Sequence, residues 1–211
     1  MKETKVRIVL EAEKLFSVEG IEAVSMRRIS AQAGQKNNSA LQYHFGGKDK
    51  LLEAILAYRM TPLNDKRLIL LEVLAGEGRT GDLRGLLEAF VYPFVDFIRT
   101  NEASYYVNFL ARFYSYSGSG AGFSSIDQPW MSGVLAITAE ISKQLNYLPQ
   151  PIVTLRLSLM GAQLIHSIAA CETQIRSGQS VDLTAFTETL IDFLQGGLTQ
   201  PLSPKIQSYS V

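Results

Sequence analysis

A chain of 211 residues, 46% apolar and 19% charged with a mean hydropathy of +0.07, has the composition of a folded globular protein, not of a disordered, collagenous or low-complexity one. Twenty basic residues balance twenty acidic ones, and a single cysteine excludes an intrachain disulfide framework; with only two histidines, no Cys/His zinc site can be assembled within one chain, and no metal or cofactor is implied. The longest uncharged stretch, Leu157 to Cys171, has 15 residues against the roughly 20 apolar ones of a membrane span, and no signal-peptide core follows Met1, so the expectation is a cytoplasmic protein without a membrane partner.

From Lys5 to Val18 the apolar residues Val6, Ile8, Val9, Leu10, Ala12, Leu15 and Phe16 recur mostly at three- and four-residue steps. The pattern predicts an amphipathic helix, stopped by Gly20 in a left-handed cap. Ser25 can N-cap a second helix, Met26 to Ala33, which ends at Gly34. Asn37 and Asn38 can cap a third, Ser39 to Phe45, which ends at Gly46-Gly47. Short helix, tight glycine turn, short helix is the helix-turn-helix arrangement. Helices of this length are unstable alone, so Leu15, Phe16, Ile21, Met26, Ile29, Ala33, Leu41 and Phe45 are expected to share one small core. A fourth helix starts near Lys48, carries Leu51, Leu52, Ile55 and Leu56 on one face, and is expected to run towards Pro62 as a connector.

Helical periodicity then continues over 66–74, 82–100, 104–116, 130–145, 151–176 and 182–194, with no hairpin signal. Pro93 removes a backbone donor from the second of these and should kink or break it. Ser117 to Gly122 reads as a flexible loop, and Leu198 to Val211, with Pro201 and Pro204, as a tail. The segment 151–176 is apolar on more than one face, so it must be covered all round, either as a fully internal helix or by a second subunit; its small residues Ser158, Gly161, Ala162, Ala169 and Ala170 would permit close helix approach. The domain division is 1–50, 51–200 and a tail at 201–211.

The neutral total conceals a split. Residues 1–59 hold ten cations and seven carboxylates, and the window from Ala23 to Lys48 holds Arg27, Arg28, Lys36 and Lys48 with no acid at all. A polyanion could approach that window unopposed; a solvated face with a chance imbalance would look the same. Catalytic signatures are missing. Gly76-Glu77-Gly78-Arg79-Thr80-Gly81 fits G-x-G-x-x-G, but a helical period precedes it where a dinucleotide site needs a strand, so it reads as an interhelical loop with Gly76 as C-cap and Asp82 as N-cap. There is no phosphate loop and no nucleophile elbow. Two histidines leave little for acid–base chemistry, and the reading is that the protein is not an enzyme.

The string Leu15-Phe16, Glu19-Gly20-Ile21, Val24-Ser25-Met26-Arg27-Arg28-Ile29-Ser30, Ala33-Gly34, Tyr43-His44-Phe45-Gly46-Gly47-Lys48-Asp49-Lys50-Leu51-Leu52 closely resembles the DNA-binding domain of the TetR/AcrR family of bacterial transcriptional regulators. It departs in the turn, where Gly34 and Phe45 stand one residue further apart than in the common pattern. The resemblance implies an all-α protein: a three-helix helix-turn-helix domain followed by a helical bundle that binds a ligand and dimerises through 151–176 and 182–194. It makes residues 37–45 the recognition helix entering the major groove of operator DNA. Ser25 with Arg27 or Arg28 would hold phosphates, and Asn37 or Asn38 would open the recognition helix. Asn38, Ser39 and Gln42 are candidates for base edges, because an amide pairs bidentately with adenine. Tyr43, His44 and Lys48 match positions that contact or orient against the DNA backbone.

Aromatics concentrate between residues 92 and 130, among them Tyr92, Phe94, Phe97, Tyr105, Phe109, Phe113, Tyr114, Tyr116, Phe123 and Trp130. They could line a pocket for a small lipophilic effector or simply form core. Tyr92, Phe97, Tyr105, Phe109, Phe113 and Trp130, with His166, are the pocket candidates. The implied function is a homodimeric, ligand-responsive repressor. An effector-independent architectural DNA binder and an enzyme using the aromatic cavity are the alternatives.

Overall fold

The computed structural model describes residues 3–35, 39–101, 103–117 and 128–207. Its described residues form helices and no strand: α1 Glu3–Glu19, α2 Met26–Gln32, α3 Ser39–Phe45, α4 Lys48–Gly76, α5 Leu83–Thr100, α6 Tyr106–Tyr116, a 3-10 turn Pro129–Met131, α7 Ser132–Gln144, α8 Gln150–Arg176, α9 Leu183–Thr199 and the short α10 Pro204–Gln207.

The punctuation read from the sequence is the punctuation of the fold. Gly20, Gly34 and Gly46 all have positive φ, at 90°, 67° and 71°, where a side chain would be strained. The Ser25 hydroxyl accepts the Arg28 amide at 3.2 Å and starts α2. Asp82 accepts the Arg84 amide at 3.1 Å to start α5, and Asp182 accepts those of Thr184 and Ala185 to start α9. Gly76 closes α4 and the glycine-rich stretch after it joins α4 to α5, so it is an interhelical turn.

Neither proline ends a helix. α4 runs unbroken through Pro62 for 29 residues, joining the connector to the segment read separately as 66–74, and α5 runs through Pro93 for 18. Packing on both sides outweighs one lost donor in each: Met60 and Leu63 flank Pro62 in the core, and Val91, Pro93 and Phe94 are buried together. The stretch 117–122 lies outside the described residues apart from Ser117. Leu198, where the sequence predicts the start of the tail, is buried inside α9.

Helix α8 reaches a mean hydropathy of 1.4 over 18 residues and is long and apolar enough to cross a membrane, which counting uncharged residues did not suggest. In the fold it is a bundle helix lying against α6 and α9. Glu172 near its C-terminus accepts the amides of Val107 at 3.1 Å and Asn108 at 2.8 Å at the start of α6, and Arg156 binds the Leu198 and Gln200 carbonyls at the end of α9. Charged side chains of α8 thus satisfy the open ends of its two neighbours.

Helices α1 to α3 pack into a small unit with Ile8, Val9, Ala12, Phe16, Ile21, Val24, Ile29, Ala33, Leu41 and Phe45 inside. That unit rests on α4 and α6. The expected miniature core forms and is continuous with the core of the bundle.

Candidate DNA-binding surface and ligand cavity

The second helix of the helix-turn-helix domain presents Arg27 and Arg28 outward. Arg27, on the first turn of α2, is exposed and makes no ion pair among the described residues. Arg28 is exposed too, but its guanidinium holds Glu19 at the end of α1, with Nη2–Oε1 at 2.6 Å and Nε–Oε1 at 3.2 Å. Any phosphate contact by Arg28 therefore competes with a carboxylate. On α3, Tyr43 is 86% exposed and lies edge-on to His44, with ring centroids 5.2 Å apart. Gln42 is exposed, and its amide nitrogen donates to the Gly46 carbonyl at 2.9 Å, which leaves its side-chain oxygen as an acceptor. Asn37 and Asn38 lie outside the described residues, as does the side chain of Ser39. Lys48 is turned inward: Nζ donates to the Ile21 carbonyl at 2.8 Å and lies 6.0 Å from the Phe16 ring centroid, tying the start of α4 to the α1–α2 turn. Its position at this junction gives it a structural function that the sequence pattern does not show.

A cavity of about 330 Å³ lies in the bundle, inside the size range of small-molecule sites. Its wall is built by Met60 and Arg67 of α4, Phe90 and Phe94 of α5, Leu110 and Tyr114 of α6, Met131 of the 3-10 turn, Val134, Leu135 and Thr138 of α7, and one face of α8 from Thr154 to Ile165. The wall is overwhelmingly apolar, relieved by Arg67, Thr138, Thr154, Ser158 and the Tyr114 hydroxyl, which donates to the Ser158 carbonyl at 3.2 Å.

None of the seven pocket candidates lines this cavity. Phe109 is fully buried between Phe16 of α1 and Phe113, in the contact between the DNA-binding unit and α6. Phe97 packs edge-on against Tyr106 at 5.6 Å. Tyr105 lies over the Arg176 guanidinium at 4.4 Å, and the Tyr92 hydroxyl reaches Glu188 at 3.4 Å. Trp130 is buried in the 3-10 turn next to Met131. His166 is exposed on α8, edge-on to Tyr114. An aromatic cluster in sequence marks these helices as core-forming but does not say which face of each meets the cavity.

Arg67 is the residue that sequence reading missed. It is fully buried, with Nε, Nη1 and Nη2 making no hydrogen bond among the described residues, and its guanidinium lies over the rings of Phe94 at 4.9 Å and Phe90 at 5.6 Å. Burial pushes its pKa down to about 10, so it remains a cation at neutral pH. The signal was present in the sequence: Arg67 follows Met60 and Leu63 at helical spacing on the buried stripe of α4, where a cation is out of place.

The same helices join cavity to DNA-binding unit. Arg59, next to the wall residue Met60, forms a bidentate pair with Glu13 of α1, and Phe109, next to the wall residue Leu110, packs on Phe16 of α1 with ring centroids 6.2 Å apart.

Comparison with known proteins agrees with this architecture. Residues 8–55 match the family model of bacterial regulatory proteins of the tetR family. A 62-residue segment is 37% identical to an uncharacterized HTH-type transcriptional regulator, TtgW, of Pseudomonas putida; the match covers 29% of this chain and 46% of that protein, so the chain spans under half the length of this curated relative. Over whole chains, the fold is similar to that of a tetR-family protein from Shewanella sp. PV-4, with a TM-score of 0.58 at 18% identity, covering 91% of this chain and 98% of that one. A TetR-like transcriptional regulator from Rhodococcus sp. RHA1 superposes with a TM-score of 0.50 at 18% identity over 95% and 98%.

Proposed function

We propose that this chain, a TetR-family regulator by its N-terminal domain and its fold, is a homodimeric repressor that binds a pseudo-palindromic operator and releases it when a small ligand fills the bundle cavity. The observation that carries the DNA-binding part is the outward, acid-free face of α2 and α3. Arg27 stands free for a phosphate, and Gln42 and Tyr43 stand exposed on the helix that would lie in the major groove. Ser25, Arg28 and His44 flank that face, and Asn37, Asn38 and Ser39 remain candidates for base contacts by their place in the sequence just before and at the start of α3.

Dimerisation is supported by an unpartnered stripe. Leu155 and Leu159 of α8 are 54% and 61% exposed, and His166 and Ala170 continue their line at near-heptad spacing. Beside it on α9 stands Phe193, 63% exposed, followed by Gly196 and Gly197, where an added Cβ would meet nothing within 4 Å. A second copy laid on this stripe forms a four-helix interface and sets the two recognition helices for successive major-groove faces, roughly 34 Å apart. Release is a population shift, and the ligand acts only through its different affinity for the two spacings.

The experiment is selection of bound duplexes from a random pool. The expected product is a two-fold symmetric consensus with half-sites about one helical turn apart. A pool that binds without enrichment contradicts sequence-specific regulation.

A further inference from the structure

We propose that the ligand of the bundle cavity is an amphipathic monocarboxylate, held with its apolar body against α7 and α8 and its carboxylate on the guanidinium of Arg67. The assignment rests on reading the cavity as the ligand site. Three observations lead to it. First, Arg67 is a wall residue, wholly buried, whose three guanidinium nitrogens have no hydrogen-bond partner among the described residues. A buried cation without an anion is expensive, and a native fold rarely tolerates one that nothing ever pairs. Second, the faces of Phe90 and Phe94 already lie against the guanidinium, and both rings belong to the wall. What is unsatisfied is the planar edge of N–H donors, a match for a carboxylate in two parallel hydrogen bonds; in the unliganded chain these nitrogens are occluded, so the carboxylate reaches them only when a neighbouring wall side chain gives way. Third, among the described residues no carboxylate lines the cavity, and Arg67 is the one charged residue of its wall. A single cation matches a single negative charge. A phosphate monoester or dicarboxylate would bring a second charge with no partner, and an organic cation would be repelled. The remaining wall, Leu135, Leu157, Leu164 and Ile165 among others, is suited to an alkyl or aryl body and excludes small polar acids.

The test uses the full-length protein and no DNA. Octanoate, decanoate and 2-naphthoate are titrated by calorimetry and thermal shift against 1-octanol, 1-decanol and 2-naphthol, on the unsubstituted chain and on Arg67→Met and Arg67→Lys. The expected result is that at least one acid binds roughly tenfold or more tighter than the alcohol with the same body. Arg67→Met removes that preference, and Arg67→Lys, which keeps the charge and loses the fork, retains part of it. Acid and alcohol binding alike, a preference that survives in Arg67→Met, or no binding by any of the three acids overturns the assignment. Should Arg67→Met not fold, the acid–alcohol comparison on the unsubstituted chain decides alone. An acid that binds through Arg67 yet leaves duplex affinity unchanged supports the assignment and contradicts the regulatory reading, so the two fail separately.

Discussion

Glu13 on α1 and Arg59 on α4 meet in a double hydrogen bond, Nε to Oε2 at 2.7 Å and Nη2 to Oε1 at 2.8 Å, with 3% and 16% of their side chains exposed. The pair is the polar fastening between the DNA-binding unit and the helix that lines the cavity. Removing Arg59 would leave a carboxylate buried without its cation, a change that costs about 3–5 kcal/mol. Arg59→Met is therefore expected to lower the urea midpoint steeply. Coupling between Glu13→Gln and Arg59→Met in a double-mutant cycle measures the pair itself; additive losses would contradict the role given to it.

The same pair makes stability depend on pH. Burial pushes the Glu13 carboxyl above its ordinary value, opposed by the hydrogen bonds and charge of Arg59. A carboxyl higher in the folded than in the unfolded chain holds its proton more tightly when folded. Its contribution is fully present below the ordinary carboxyl value and is lost as pH rises through the raised one. Arg59→Met takes away both opposing influences, so the loss should extend to higher pH, while Glu13→Gln should flatten it. Melting temperatures of the three proteins between about pH 4 and pH 8 check the sign; a steeper rise with pH in Arg59→Met would refute it.

Gly133 at the start of α7 is where α4 comes closest. An added Cβ would stand 2.9 Å from Asn64 Oδ1 and 3.0 Å from Arg67 Cβ, and the same Asn64 oxygen accepts the Gly133 amide at 2.7 Å. Gly133→Ala is expected to cost about 1–3 kcal/mol by overpacking, despite the better helix propensity of alanine. A neutral or stabilising effect in urea denaturation would mean that α4 and α7 can separate freely.

In the unliganded protein, Arg67→Met should stabilise by about 1 kcal/mol or more, since it exchanges an unpaired buried cation for an apolar chain of similar length. Nearly every other large-to-small or polar-to-apolar change at a buried position of α4 is expected to destabilise. A lower melting temperature for Arg67→Met would show that the guanidinium is paired within the native fold.

Leu159→Glu combined with Phe193→Glu should give a monomer in sedimentation with unchanged helicity, because both side chains are largely exposed in the single chain. Duplex affinity should then fall. A dimer surviving both charges would place the interface elsewhere.

Much of the N-terminal unit was legible because short helices depend on local chemistry. Ser25 caps, Gly20, Gly34 and Gly46 turn, and the apolar residues between them have no partners but one another. The bundle was less so. Pro62 and Pro93 read as interruptions because sequence shows the lost donor and not the packing that outweighs it. The aromatic set contains two residues of the wall, Phe94 and Tyr114, but the seven narrower candidates differ from it by small rotations: Phe109 and Phe113 of α6 stand one residue from the wall residues Leu110 and Tyr114, and one residue along a helix turns a side chain by about 100°. Only convergence of α4, α5, α7 and α8 says which face is inside. Arg67 could have been found as a cation on an apolar stripe. The inward turn of Lys48 and the Arg28–Glu19 pair depend on how α1, α2 and α4 are placed together, which spacing does not encode.

The central claim is sequence-specific DNA binding through α2 and α3. Its most direct test is fluorescence anisotropy with duplexes tiled from the DNA flanking the protein's own gene, against random competitor, beside an Arg27→Ala/Gln42→Ala variant. The account predicts saturable binding to one tile that resists competitor and is lost in the variant. The slope of log affinity against log salt should be near −7 if a dimer neutralises about eight phosphates. Equal binding to every tile, or a variant that binds as well as the unsubstituted chain, would contradict it.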